Sequence, residues 1–291
     1  MAFTHFWNKN SGYMRMGTVA TGRDIKKYCC IFLTISACLG IYGFFYYENQ
    51  YTIHVDGRVV NFTGVEDFIP PFINYYPDLL VAPEHKLIGC AIPKSMSQLI
   101  INIMCLLYDE HRFLTDNNSL NDTWTTESAG NCFDCNKKDL RCFVRKTYEI
   151  LKNISDYRHH FREMDGMAAH AAPLTWMCNF EKDLEKWDLL MIGSDFEERK
   201  SSSLHLANIL TRQGFNETLV DKIQKDMTIG ETAHSTHKSS HRQEAERQIR
   251  EDPYIRDLLH KIYFFDYVVF PFKRDVLDKK YQTNFWKVPE E

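Results

Sequence analysis

The sequence predicts an α/β fold, a sheet covered by helices and preceded by a single transmembrane helix. Three observations carry this. Residues 87–92 are an apolar run of strand length that leads straight into a long apolar helix pattern. Residues 187–193 (WDLLMIG) are a second such run, and helix-like patterns fill much of the remaining body, a mixture that puts helices on a sheet. Residues 28–47 hold 20 residues without a charge, enough to span a bilayer.

Taken in order, residues 1–27 read as a cytosolic tail. Lys9, Arg15, Arg23, Lys26 and Lys27 precede the apolar stretch against one acid, Asp24, whereas Glu48 and Asp56 follow it. The positive-inside bias then places the body in the lumen, a type II arrangement. A cleaved signal peptide is the alternative, but the apolar run and the 27-residue lead are both long for one. Residues 48–82 read as a stem, with Pro and aromatic segments and no sustained periodicity. Residues 83–275 read as the folded domain and 276–291 as a tail.

In the domain, Pro93 stops the first strand. Ser95-Met96-Ser97-Gln98 has the form of a capping box, with Ser95 as N-cap. Leu99, Ile100, Ile101, Ile103, Met104, Leu106 and Leu107 then surround the helix, which is therefore buried, and too short to cross a membrane. A polar stretch over 115–131 leads to Cys132, Cys135 and Cys142 and a helix over 143–154. Helices follow over 202–213, with Gly214 just past its end, and over 217–226. Ser240-x-x-Gln243 offers another capping box, and Pro253 can open the last helix at its first position.

A net charge of −4 over 291 residues argues against a nucleic-acid partner, and 44% hydrophobic content supports a real core. Asn61, Asn117, Asn121, Asn153 and Asn216 are Asn-x-Ser/Thr sequons, all after the apolar stretch, which fits luminal glycosylation. Six of nine cysteines lie in the body. Cys132-x-x-Cys135, Cys142 and Cys178 suit either zinc or disulfides, and an oxidising lumen favours disulfides. Cys90 and Cys105, on buried elements, read as core thiols.

Chemistry points to the loop after the first strand. Backbone N–H groups and the positive end of a helix dipole converge there and suit an anion. Lys94 adds a cation, and Ser95 and Ser97 add hydroxyls. The loop is not a Walker sequence. His170, before Pro173, is a candidate proton acceptor, because an imidazole titrates near neutrality. Against it stands a histidine satisfied by hydrogen bonds in a turn. His234 and Ser235 lie in a third polar segment, 231–236, which can equally be a solvated loop.

In order, Pro93-Lys94-Ser95-Met96-Ser97, the cysteine group, His170-Ala171-Ala172-Pro173 through Cys178, His234-Ser235-Thr236 and the run from Asp252-Pro253 to Tyr267 resemble the Golgi membrane-bound carbohydrate sulfotransferases of chondroitin type. The resemblance covers residues 83–272. It implies a P-loop-like sheet, and transfer of a sulfuryl group from 3′-phosphoadenosine 5′-phosphosulfate to a hydroxyl of a glycosaminoglycan or glycoprotein glycan. No metal is required. Pro93, Lys94, Ser95, Met96, Ser97 and Gln98 would hold the 5′-phosphosulfate, with His234 and Ser235 near cofactor and acceptor. Lys94 and His170 would act in the chemistry. Two departures stand out: Leu174 replaces a family Gln, and the second cofactor arm is missing. That arm is a strand, Arg-Asp-Pro or Arg-His-Pro, and a helix carrying Ser, and it holds the 3′-phosphate. An isoform lacking a coding segment near Gly130, a non-catalytic luminal relative, or replacement by other bases would each explain this, the first best because both flanks remain family-like. A type II glycosyltransferase is disfavoured by the lack of Asp-x-Asp.

Overall fold

A computed structural model of the protein describes residues 2–5, 51–55, 58–62, 64–73, 79–93, 95–122, 132–136, 138–156, 166–192, 195–229, 240–283 and 286–287. In chain order the elements are β1 (Ala2–His5), β2 (Tyr51–Val55), β3 (Arg58–Phe62), β4 (Leu79–Ala82), β5 (Leu87–Cys90), α1 (Ser97–Tyr108), α2 (Glu110–Thr115), α3 (Leu140–Asp156), α4 (Gly166–Ala171), α5 (Phe180–Asp183), β6 (Trp187–Leu189), α6 (Phe196–Arg212), α7 (Glu217–Ile229), α8 (Ser240–Glu251), α9 (Pro253–Val269), α10 (Lys279–Thr283) and β7 (Trp286–Lys287). Two compact units result. The larger holds β1 and Ile69–Phe272.

Its sheet has the order β4-β5-β1-β6, and each neighbouring pair is antiparallel. Because β1 is antiparallel to both β5 and β6, those two strands run parallel with one strand between them. Leu87 and Cys90 sit three apart on β5, so their side chains leave opposite faces. Leu87 joins a core with Leu99, Ile103, Leu206, Leu210 and Ile223, from α1, α6 and α7. Cys90 joins a second core with Leu151, Trp176, Ile255 and Ile262, from α3, α9 and the turn between. Helices thus cover both faces, the arrangement of an α/β domain.

The smaller unit is a hairpin of β2 and β3, with β7 along β3. Asp56-Gly57 joins the two long strands, a strong hairpin signal between alternating runs. The stem expected over residues 48–82 therefore contains strands. The larger unit also begins ahead of Ala82: Ile69 N–H donates to Lys261 O at 2.8 Å, and Pro70 O accepts from Trp176 Nε1 at 2.7 Å. Residues 28–47, expected to span the membrane, lie outside the described residues. Among the described residues no helix is long and apolar enough to cross one.

Most expected helices are present and longer. α6 starts at Phe196 because Asp195 accepts from Glu198 N–H at 2.8 Å, and Glu197 and Glu198 favour its positive end. It ends before Gly214 at φ +79°, a conformation that suits glycine. Asp252 caps α9, accepting from Tyr254 N–H at 2.9 Å, with Pro253 in its first turn. The expected capping box at Ser95 is not formed. Ser95 N–H turns back to Ile92 O at 3.2 Å, Met96 is left-handed, and α1 begins at Ser97 without a side-chain cap. The cysteine expectations also change. Cys90 is not a core thiol but is bonded to Cys178, and Cys105 is a free thiol on an exposed stripe of α1 with Tyr108. α1 is thus buried on most of its surface, not all. Cys135 is bonded to Cys142.

The two disulfides close loops of unequal length, with separations of 88 and 7 residues. Loop-closure entropy makes the longer one worth more, about 4.6 kcal/mol against about 2.4 kcal/mol. Cys178→Ser should therefore lower unfolding free energy in denaturant more than Cys142→Ser, and equal losses would contradict this.

Candidate functional site

The candidate site is built on the end of β5. Ile92 is buried, Pro93 cannot extend the ladder, and the chain reverses through the Ser95–Ile92 bond. Met96 takes φ 54°, ψ 34°, which sets the first turn of α1, and Ile100 N–H returns to Met96 O at 3.2 Å. Met96, the residue before α1, makes no side-chain cap bond, and the leading N–H groups of a twelve-residue helix lie at this end. Pro93, Ser95, Met96, Ser97 and Gln98 are half-buried, and Met96 packs on the first core. The structure thus brings these five together around one helix start, a chemistry fit for an anion. Lys94, His234 and Ser235 lie outside the described residues.

His170 is exposed on the last turn of α4. The segment that follows it is held at several points. Tyr263 Oη donates to Ala171 O at 2.9 Å. Leu174 N–H and Thr175 N–H donate to the two oxygens of Asp266, each at 2.9 Å. Trp176 is fully buried, and Cys178 O accepts from Trp187 Nε1 at 3.0 Å. The Cys178–Cys90 bond then ties this segment to the strand that opens the anion loop. Asp266 is 4% exposed, and burial pushes its carboxyl up to about 7 against the pull of the Thr175 and Leu174 amides. Burial likewise raises the Tyr263 phenol above its ordinary value.

Sequence reasoning carried the run to Tyr267 only as a family-like segment and did not see what Asp266 holds. The available signal was an acid inside an aromatic run on a helix that is apolar around it. It also missed Asn102, buried on α1, whose Nδ2 donates to Leu120 O at 3.1 Å and Asp122 O at 2.9 Å. These two bonds hold Leu120 and Asp122 against α1. Among the described residues no strand lies between α1 and Cys132, so no second phosphate-holding arm is found there. Of the sequons, Asn117, Asn121, Asn153 and Asn216 are exposed, and Asn61 is in β3. Asn216 Oδ1 accepts from Thr218 N–H at 2.9 Å at the start of α7. Among the described residues no cluster of His, Cys, Asp or Glu is arranged to hold a metal.

A family model described as "Sulfotransferase family" matches residues 77–131 and 121–273. Three relatives from Caenorhabditis elegans are similar. "Carbohydrate sulfotransferase chst-1" is 26% identical over 262 residues, covering 71% of this chain and 79% of the relative. "Uncharacterized protein C18B2.2" is 23% identical over 264 residues, with 69% and 70% covered. "Putative sulfotransferase vep-2" is 22% identical over 217 residues, with 56% and 66% covered. No solved structure matches the chain.

The Asp266 contact has a pH signature. An ordinary aspartate titrates near 3.8, folded Asp266 near 7. Between those values the native state keeps a proton that the unfolded chain has released, so stability falls as pH rises through the window. Denaturant unfolding at about pH 5 and about pH 7 should show a loss of up to about 1.4 kcal/mol per unit that Asp266→Asn removes. A variant with the same pH slope as the parent would contradict the assignment.

Proposed function

The chain belongs to the sulfotransferase family, and from that premise we propose that it transfers a sulfuryl group from 3′-phosphoadenosine 5′-phosphosulfate to a hydroxyl of a chondroitin-like glycosaminoglycan. The observation that carries this reading is the uncapped start of α1 at the end of β5. A phosphosulfate needs backbone donors that are already in place, and the left-handed Met96 and the Ser95–Ile92 turn hold them there.

In the proposed reaction the sulfur–oxygen bond to the donor phosphate breaks as a new one forms to the acceptor hydroxyl oxygen. The hydroxyl proton passes to His170. Charge grows on the leaving phosphate, where Lys94, the Ser95 and Ser97 hydroxyls and the α1 amides balance it. As in phosphoryl transfer, positioning does most of the work. His234 and Ser235 would line the cofactor and acceptor side. The exposed sequons Asn117, Asn121, Asn153 and Asn216 suit a luminal body, which favours a Golgi enzyme anchored through residues 28–47.

Among the described residues, those at the start of α1 suit the 5′ half of the donor, and no strand between α1 and Cys132 supplies an arm for its 3′ half. Two observations favour a chain that lacks a segment of its relatives. The family match comes in two stretches that meet over residues 121–131, after α2. The 262 residues aligned with the first relative exceed 71% of this chain's 291, so part of that relative has no counterpart here. A second reading, a non-catalytic luminal protein that keeps the fold, rests on the same missing half.

Calorimetry with adenosine 3′,5′-bisphosphate separates the two. Tight binding supports the enzyme, and Lys94→Ala should then weaken it by roughly 10–100-fold, the loss of one charge-assisted bond. Labelled sulfate should reach a chondroitin acceptor when an Arg-Asp-Pro segment is restored near Gly130. No transfer from that chain would sink the enzyme reading.

A further inference from the structure

The sheet carries a feature that the reaction does not use. β5 and β6 run parallel, and each presents one edge to the single strand position between them. Ala2–His5 fills that position and pairs on both sides: Ala2 with Cys90 and Leu189, Phe3 with Gly89 and Asp188, Thr4 with Ile88 and Trp187. β5 is almost wholly buried, so its backbone N–H and C=O groups need partners. Whatever occupies this position therefore completes the strand that leads into the anion loop.

We propose that the position between β5 and β6 is a strand-binding site whose occupant is Ala2–His5, and that filling it competes with membrane insertion. The inference rests on the proposed anchor at residues 28–47. If that segment spans a bilayer, residues 2–5 and residues 87–90 lie on opposite sides of it. No strand can then cross back, and the inserted chain keeps an open slot with two unpaired edges. An uninserted chain closes the slot with its own N-terminal strand. An open slot is recognised by backbone hydrogen bonds on both edges, the mode by which an extended segment adds to a sheet. It is also an aggregation hazard unless covered.

The test uses the full chain carrying Thr4→Cys, Ile88→Cys and Cys105→Ser, made with and without microsomes and then mildly oxidised. Thr4 and Ile88 are register partners, and directly opposed residues bring their Cβ atoms within about 5 Å, close enough to bridge. Glycan addition reports insertion, and a peptide joining residues 4 and 88 reports docking. The bridge should form in unglycosylated chains and be lost from glycosylated ones. Its absence from unglycosylated chains overturns the docking, and its presence in glycosylated chains overturns the competition. If no chain is glycosylated in microsomes, the anchor fails and the competition with it. The anchor's failure stays distinguishable, because the bridge in unglycosylated chains is read independently. Thr4→Pro removes a ladder donor and should weaken a bridge between Phe3→Cys and Gly89→Cys; an undiminished yield there also counts against the site.

Discussion

The larger unit depends most on one buried carboxyl group. Asp266 sits within α9 and gives both oxygens to consecutive backbone amides, Leu174 and Thr175. Burying a carboxylate is expensive unless donors meet it, and two amides at 2.9 Å are the minimum that satisfies both oxygens. Desolvation still outweighs them, which is why the group titrates high. From that anchor the constraint passes along the chain. The held turn places Trp176 in the core against Pro70, and Cys178 is bonded to Cys90 at the end of β5. The strand that opens the anion loop is thereby tied to α9, a helix far along the chain.

This arrangement explains how a short loop can act as a site. Among the described residues the loop shows one turn bond, Ser95 to Ile92, and one left-handed residue, Met96. Its rigidity comes from the elements on either side: β5, fixed through its disulfide, and α1, seated in a core with α6 and α7. A transfer reaction that depends on positioning needs this kind of support more than it needs an unusual side chain. The proposed roles of Lys94 and His170 fall next to these braced elements in the sequence. The lysine follows β5, and the histidine precedes the turn that Asp266 and Tyr263 hold.

Much of this was legible in the sequence where local rules govern. β5, α9 and the end of α6 follow from an apolar run, Asp252-Pro253 and Gly214, each decided within a few residues. Ser95 shows where local rules fail. Its spacing to Gln98 suits a capping box, but a competing turn to Ile92 took its backbone amide and moved the helix start to Ser97. Asp56-Gly57 was a readable hairpin signal, hidden by treating the surrounding stretch as a stem. The pairing of Cys90 with Cys178, the hold of Asp266 on residues 174 and 175, and the insertion of Ala2–His5 were not legible. Each joins segments about 90 residues apart, where nothing local specifies the partner.

In the proposed reaction the loop between β5 and α1 holds the donor's phosphosulfate. A donor analogue with a photoreactive group on its 5′-phosphate, crosslinked to the chain and mapped by mass spectrometry, tests it most directly. Label is expected on a peptide containing Pro93–Gln98, removed by excess adenosine 3′,5′-bisphosphate. Label confined to another part of the chain, or label there that the bisphosphate does not displace, would contradict it.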